Sequence, residues 1–123
     1  MHILLADDTM DTLLMYSLAF TMADHKVHLA HDGQGALEAA QTQDFDVILI
    51  DIGMPRLSGW EVAAAIRQLP ERQNVPIVLF TANYDVDYER RALEVGADRI
   101  VAKPVMPDDL LAILTQVVAD RAK

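Results

Sequence analysis

Residues 46–60, DVILIDIGMPRLSGW, decide how this chain folds. Val47, Ile48, Leu49 and Ile50 form an unbroken apolar run, the pattern of a parallel strand covered on both faces. The run ends in a carboxylate, Asp51, and a Gly-Met-Pro turn follows at once. An acid at the mouth of a buried strand is unfavourable in isolation, because losing water penalises its charge. A cap or turn role for Asp51 would be purely local. A functional role requires partners elsewhere in the chain.

Working outward, similar short runs occur at 2–6, 26–30, 77–80 and 99–102. The run at 77–80 is nearly all apolar, as a central strand should be, whereas KVHLA at 26–30 alternates and suits a sheet edge. Helical patterns lie between them. Leu110, Ile113, Leu114, Val117 and Val118 follow the stripe of an amphipathic helix, which Pro107, Asp108 and Asp109 open with favourable N-terminal chemistry. Leu13, Leu14 and Leu18 mark the first helix, Ala36, Leu37 and Ala40 the second, and Val62, Ile66 and Leu69 the third. The fourth is expected near 85–95, stopped by Gly96. Five strands alternating with five helices predict a (βα)5 chain on a parallel sheet.

The bulk numbers fit one domain over residues 1–123. A hydrophobic content of 52% supports a continuous core. The net charge of -9 argues against nucleic-acid binding, which needs clustered Lys and Arg. The chain has no cysteine, which excludes disulfides, thiolate zinc sites and thiol catalysis. MHILLADD lacks a basic leader, and no apolar run is long enough to span a bilayer. The expected location is therefore cytoplasmic, with no membrane partner.

In an open parallel sheet, ligands bind beyond the carboxyl ends of the strands. Those ends carry Asp7 and Asp8, then His31 and Asp32, then Asp51, Thr81, and Lys103 followed by Pro104. A polar end alone means little, as the His31-Asp32 pair shows. Several carboxylates on one rim repel unless a cation joins them, and a hard ion such as Mg2+ takes carboxylates, backbone oxygens and waters. A hydroxyl and an ammonium nearby suit phosphoryl oxygens, and aspartate is a chemically competent phosphate acceptor.

In these residues the chain resembles, over its whole length, the receiver domain of two-component response regulators, of the single-domain chemotaxis type. The acidic pair Asp7-Asp8, Asp51 in ILIDIGMPRLSGW, Thr81 in IVLFTA and Lys103-Pro104 in GADRIVAKP carry the resemblance in order. It implies a flavodoxin-like (βα)5 three-layer sandwich, with a five-stranded parallel sheet of order 2-1-3-4-5. It further implies that Asp51 is the phosphoacceptor, with Mg2+ held by Asp8, Asp51 and the Gly53 carbonyl, and by Asp7 mainly through water. Thr81 would bond a phosphoryl oxygen, Lys103 would pair with Asp51 or its phosphate, and the Lys103-Pro104 bond would be cis. The donor would be a histidine kinase or a histidine phosphotransfer protein. A downstream protein would be met by the face of the fourth helix, fifth strand and fifth helix. Such a domain is a signalling switch more than an enzyme, although it assists its own phosphorylation.

The sequence departs from the family at Ile100, where an aromatic ring is usual, and no output domain follows the fifth helix. Stand-alone and excised receivers both fit. The residues two beyond Asp51 and Thr81, Gly53 and Asn83, carry no carboxylate. Two rivals remain. An aspartate-dependent phosphohydrolase would use Asp7 as nucleophile but needs a later acidic pair, and a phosphorylation-independent interaction module would leave the site idle. Simpler readings cover other residues. Pro55 and Gly59 shape a turn, Trp60 packs, the six methionines fill the core, and the helix-four charges at 89–94 form a solvated face. His2, His25, His28 and His31 show no metal-ligand spacing.

Overall fold

Every apolar run is a strand in the computed structural model, which describes residues 1–122. The strands are β1 (His2–Ala6), β2 (Lys26–Ala30), β3 (Val47–Asp51), β4 (Ile77–Thr81) and β5 (Arg99–Ala102). The helices are α1 (Met10–Met22), α2 (Gly33–Thr42), α3 (Gly59–Arg67), α4 (Tyr88–Glu94) and α5 (Pro107–Arg121). All pairings are parallel, in the order β2-β1-β3-β4-β5, with β2 at an edge as its alternating sequence requires. The flavodoxin-like arrangement expected from the resemblance is the one observed.

Strand side chains alternate between faces, so a strand covered on both sides must be apolar at every position. Ile3, Leu5, Val47, Leu49, Val78, Phe80 and Val101 pack with Leu13, Tyr16 and Phe20 of α1 and Leu110, Leu114 and Val117 of α5. Leu4, Ala6, Ile48, Ile50, Ile77, Leu79 and Ile100 face the other way, into a core that includes α2, α3 and Ala92 of α4. β1 neighbours both β2 and β3, so strand order reverses there, and the ends of β1 and β3 flank the switch point where such sheets bind ligands.

Local chemistry sets the helix boundaries. Ser58 and Glu61 form a capping box at α3, Asp32 caps α2 through the Gly35 N–H, and Gly96 ends α4 at φ 83°. No helix among the described residues is long and apolar enough to cross a membrane.

Three expectations need correction. The buried face of α1 is Leu13, Tyr16 and Phe20, whereas Leu14 and Leu18 are exposed, Leu18 by 64%. The helix is apolar nearly all round, so periodicity could not choose its inner face. The fourth helix is shorter than its sequence pattern, because residues 82–87 form an exposed loop before Tyr88. The methionines do not fill the core as a group: Met54 is buried, but Met10, Met15, Met22 and Met106 are exposed.

Candidate functional site

The sheet register sets the site. Ala6 pairs with Ile50, Asp51 with Phe80, and Thr81 with Ala102. Asp7, Asp51, Thr81 and Lys103 therefore stand at one rim, one strand apart. Asp7 (0% exposed), Asp51 (8%) and Thr81 (4%) are the buried polar or charged residues among the described residues. Asp8 turns outward to solvent. Carboxylate oxygens of Asp7, Asp8 and Asp51 lie within 4.8 Å of one another.

Asp7 is fully engaged within the protein. Its Oδ1 accepts from the Thr9 N–H at 2.8 Å, and its Oδ2 accepts from the Lys103 ammonium at 2.8 Å. Neither Asp7 nor Asp8 caps α1, whose N-cap is Thr9 with no side-chain cap bond. Lys103 stands farther from Asp51, at 3.5 Å from its Oδ2, and its ammonium lies 4.2 Å from the centre of the Phe80 ring. The Gly53 N–H donates to Asp51 Oδ1 at 3.2 Å. Burial pushes the Asp51 carboxyl above the usual carboxylate range, the Gly53 N–H and Lys103 pull it back, and Asp7 and Asp8 add to the rise. Lys103 alone does not neutralise the rim, and a cation has a physical reason to bind there.

Thr81 reaches the rim from the other side. Along β4 the alternation places Phe80 toward α1 and α5, and Thr81 toward α3 and α4. The Thr81 hydroxyl accepts from the Asn83 N–H at 3.1 Å, so it is tied to the loop that leads into α4. The Lys103–Pro104 peptide bond is cis. Ile100 is buried on the α3/α4 face of the sheet, in the same cluster as Ala92 and Ala97.

Three contributors escaped the sequence reading. Gly59 does more than shape a turn: a Cβ there would meet the Asp51 carbonyl oxygen and the Ile52 Cα, each at 2.6 Å. The start of α3 thus rests directly on the backbone that carries Asp51, and only glycine permits this approach. Phe80 supplies the ring face for Lys103, and Tyr16 donates to the Val105 carbonyl at 2.6 Å. The signal for Tyr16 was its spacing from Leu13 and Phe20, masked by the leucines on the opposite face of α1.

Trp60 packs, as its sequence position suggests, edge-on to Tyr88 with ring centroids 5.2 Å apart. The charges of α4 are less uniform than a solvated face. Arg90 pairs with Asp87 and Glu94, while the Arg91 guanidinium lies 4.4 Å from the centre of the Trp60 ring. No histidine joins the potential metal-holding group found among the described residues.

The fold that carries this rim has close counterparts in known proteins. The response regulator receiver domain family matches residues 3–115. Chemotaxis protein CheY4 of Vibrio cholerae is 33% identical, with a TM-score of 0.90 over 94% of this chain and 97% of that one. The receiver domain of sensor histidine kinase PA1611 from Pseudomonas aeruginosa has a magnesium ion coordinated in its active site cleft. It is 30% identical, with a TM-score of 0.87 over 96% of this chain and 97% of that one. A probable transcriptional regulator, ycf27 of Cyanidium caldarium, is 34% identical over 90% of this chain but only 43% of its own length. This chain spans about half the length of the curated relatives it matches. The chain belongs to the receiver domain family of two-component response regulators, whose members act as signalling switches.

Proposed function

We propose that residues 1–123 form a phosphoacceptor receiver, in which Asp51 takes a phosphoryl group from a histidine kinase or a histidine phosphotransfer protein. The juxtaposition of the Asp51 carboxylate, a cluster of acids and the Lys103 ammonium carries this reading. A carboxylate oxygen of Asp51 forms the new O–P bond as the N–P bond of the donor phosphohistidine breaks, and the imidazole leaves with the electron pair of that bond. Asp51 is held for this by β3 behind it, by the Gly53 N–H, and by the glycine-tight contact with α3.

The three carboxylates fit a hard divalent cation, and Mg2+ bound there would neutralise charge on the phosphoryl oxygens. Asp8 and Asp51 would ligate it directly with the Gly53 carbonyl. Asp7, with both oxygens engaged, would act through water. Lys103 offsets the negative charge of the rim toward the incoming group, and Thr81, whose oxygen accepts from the Asn83 N–H, would donate its O–H to a phosphoryl oxygen. An exposed apolar ridge of Met10, Leu14, Leu18 and Met22, spaced four apart along α1, supports docking of the donor next to Asp8. Exposed Leu93 supports contact of the downstream partner with the face of α4, β5 and α5.

The decisive experiment incubates the protein with Mg2+ and acetyl phosphate. One acid-stable, base-labile phosphate should appear on wild type and be absent from Asp51→Asn. Modification that persists in that variant, or that maps to Asp7, defeats the reading.

A further inference from the structure

Tyr16 is 2% exposed, yet it is not merely a core ring. Its hydroxyl donates to the carbonyl of Val105, 89 residues away in sequence, at 2.6 Å. Burial raises the phenol pKa, so the group stays protonated and remains a donor. Val105 lies two residues beyond Lys103. The same short stretch is tied at its other end by the Lys103 N–H, which donates to the Thr81 carbonyl at 2.7 Å.

The phenol belongs to α1, the helix that starts just after the acidic pair. Two cross-links therefore join the same two pieces of chain. One is Lys103 to Asp7 at 2.8 Å, and the other is Tyr16 to Val105. Between them stands Phe80. Tyr16 meets the Phe80 ring edge-on with centroids 6.1 Å apart, and the ammonium of Lys103 lies over that ring at 4.2 Å. A lysine side chain has many rotamers, so an ammonium that must stand in one place needs its stem and its backbone restrained. Phenylalanine would fill the core at position 16 equally well; only the hydroxyl adds the restraint on the 103–105 segment.

We propose that Tyr16 is a positioning residue for Lys103, its hydroxyl and the Phe80 ring fixing the ammonium beside Asp7 and Asp51. The inference rests on the phosphoacceptor reading above, because the positioned ammonium matters most for accepting phosphate. The Tyr16 hydroxyl bonds to the Val105 carbonyl and not to the acceptor carboxylate, so the effect proposed for it runs through the placement of Lys103.

The test is Tyr16→Phe, alone and combined with Lys103→Ala. Alone, it should keep the wild-type circular-dichroism spectrum and bind Mg2+ within about twofold of wild type. It should also accept phosphate from acetyl phosphate about tenfold more slowly, as expected when a preorganised charge is displaced but not removed. In the Lys103→Ala background the same change should add no further slowing, because the group it positions is gone. The Lys103 side-chain Cε resonance should shift in Tyr16→Phe without any donor present. An unchanged rate, or equal slowing in both backgrounds, overturns the proposal. Should Tyr16→Phe fail to fold, Phe80→Leu, which removes the ring face and leaves the phenol, puts the same question with the same outcomes. If wild type itself takes no phosphate, the parent reading is what fails. The Lys103 resonance then decides the positioning alone: a shift keeps it and an unmoved signal ends it.

Discussion

On the Lys103 side of the acidic rim every segment is tied down, whereas on the Thr81 side the chain crosses an exposed loop at 82–87 before α4 begins. The first side has Tyr16 bonded to Val105, Lys103 bonded to Asp7, and α1 and α5 each burying three residues against the sheet. The second side has a helix of 7 residues whose buried residue is Ala92, and whose N-cap Asp87 makes no side-chain cap bond. Its ion pairs, Arg90 with Asp87 and Glu94, are exposed, and such pairs contribute little. Few buried contacts and an uncapped start place α4 at the low end of local stability, where moving elements are found. Asp51 and Phe80 share the anchored face through strand alternation, and Thr81 belongs to the loose one. One rim thus joins a firmly anchored flank with a loosely held one, and on the proposed function the first would serve the chemistry and the second the signal.

The most severe challenge to this division is Lys103→Ala. If the anchored flank performs the chemistry, the variant should fold and bind Mg2+ at least as well as wild type. It should nevertheless accept phosphate about 100-fold more slowly, the scale of losing one preorganised charge. A near-normal rate with acetyl phosphate would show that the anchoring serves only the fold.

Thr81→Ala should behave differently. Phosphorylation should slow by about tenfold or less, since one hydrogen bond is lost, while the response of α4 disappears. Trp60, the single tryptophan, packs against Tyr88 at the start of α4 and under Arg91, and so reports the loose flank optically. Beryllofluoride with Mg2+ should change its emission in wild type and not in Thr81→Ala. An identical response in both would detach α4 from Thr81.

A smaller effect concerns stability without metal. The folded Asp51 carboxyl is raised above its unfolded value, so its favourable contribution is complete below the unfolded pKa and is lost as pH rises through the folded pKa. At pH 7 the charged, desolvated acid opposes folding. Asp51→Asn should therefore melt a few degrees higher than wild type in the absence of Mg2+. The gap should close as the pH falls below the ordinary aspartate range, and Mg2+ should narrow it at pH 7 by stabilising wild type alone. Thermal melts at several pH values check the sign.

The smallest expected effect is at Ile100. This side chain is β-branched and buried, stiff at χ1 and without a hydroxyl that could exchange partners. Amide shifts on adding a phosphoryl mimic should concentrate at 81–88 and stay small through β5 and α5. Ile100→Tyr should enlarge the β5 response. Large shifts through β5 and α5 in wild type would place signalling on the anchored flank as well.

Much of the fold was legible because its determinants are local. Apolar runs four or five residues long, covered on both faces, mark parallel strands, and their polar last residues mark the rim. Strand ends alone marked Asp7, Asp8, Asp51, Thr81 and Lys103 together with His31 and Asp32, and the resemblance to receivers set the first five apart. Periodicity failed where two faces looked alike, as on α1, where leucines outside competed with Leu13, Tyr16 and Phe20 inside. A small residue read only as turn chemistry can also mark close contact, as Gly59 does against the Asp51 backbone.

By itself, then, the sequence determined which residues end each strand, because alternation and run length are properties of neighbours along the chain. Tertiary structure alone decided whom those residues meet. Lys103 rests nearer to Asp7 than to Asp51, over a ring contributed by β4 and beside a segment held by a phenol from α1. Each of these contacts closes a long loop and depends on one rotamer among several. Only the packed core, by excluding the other rotamers, selects it.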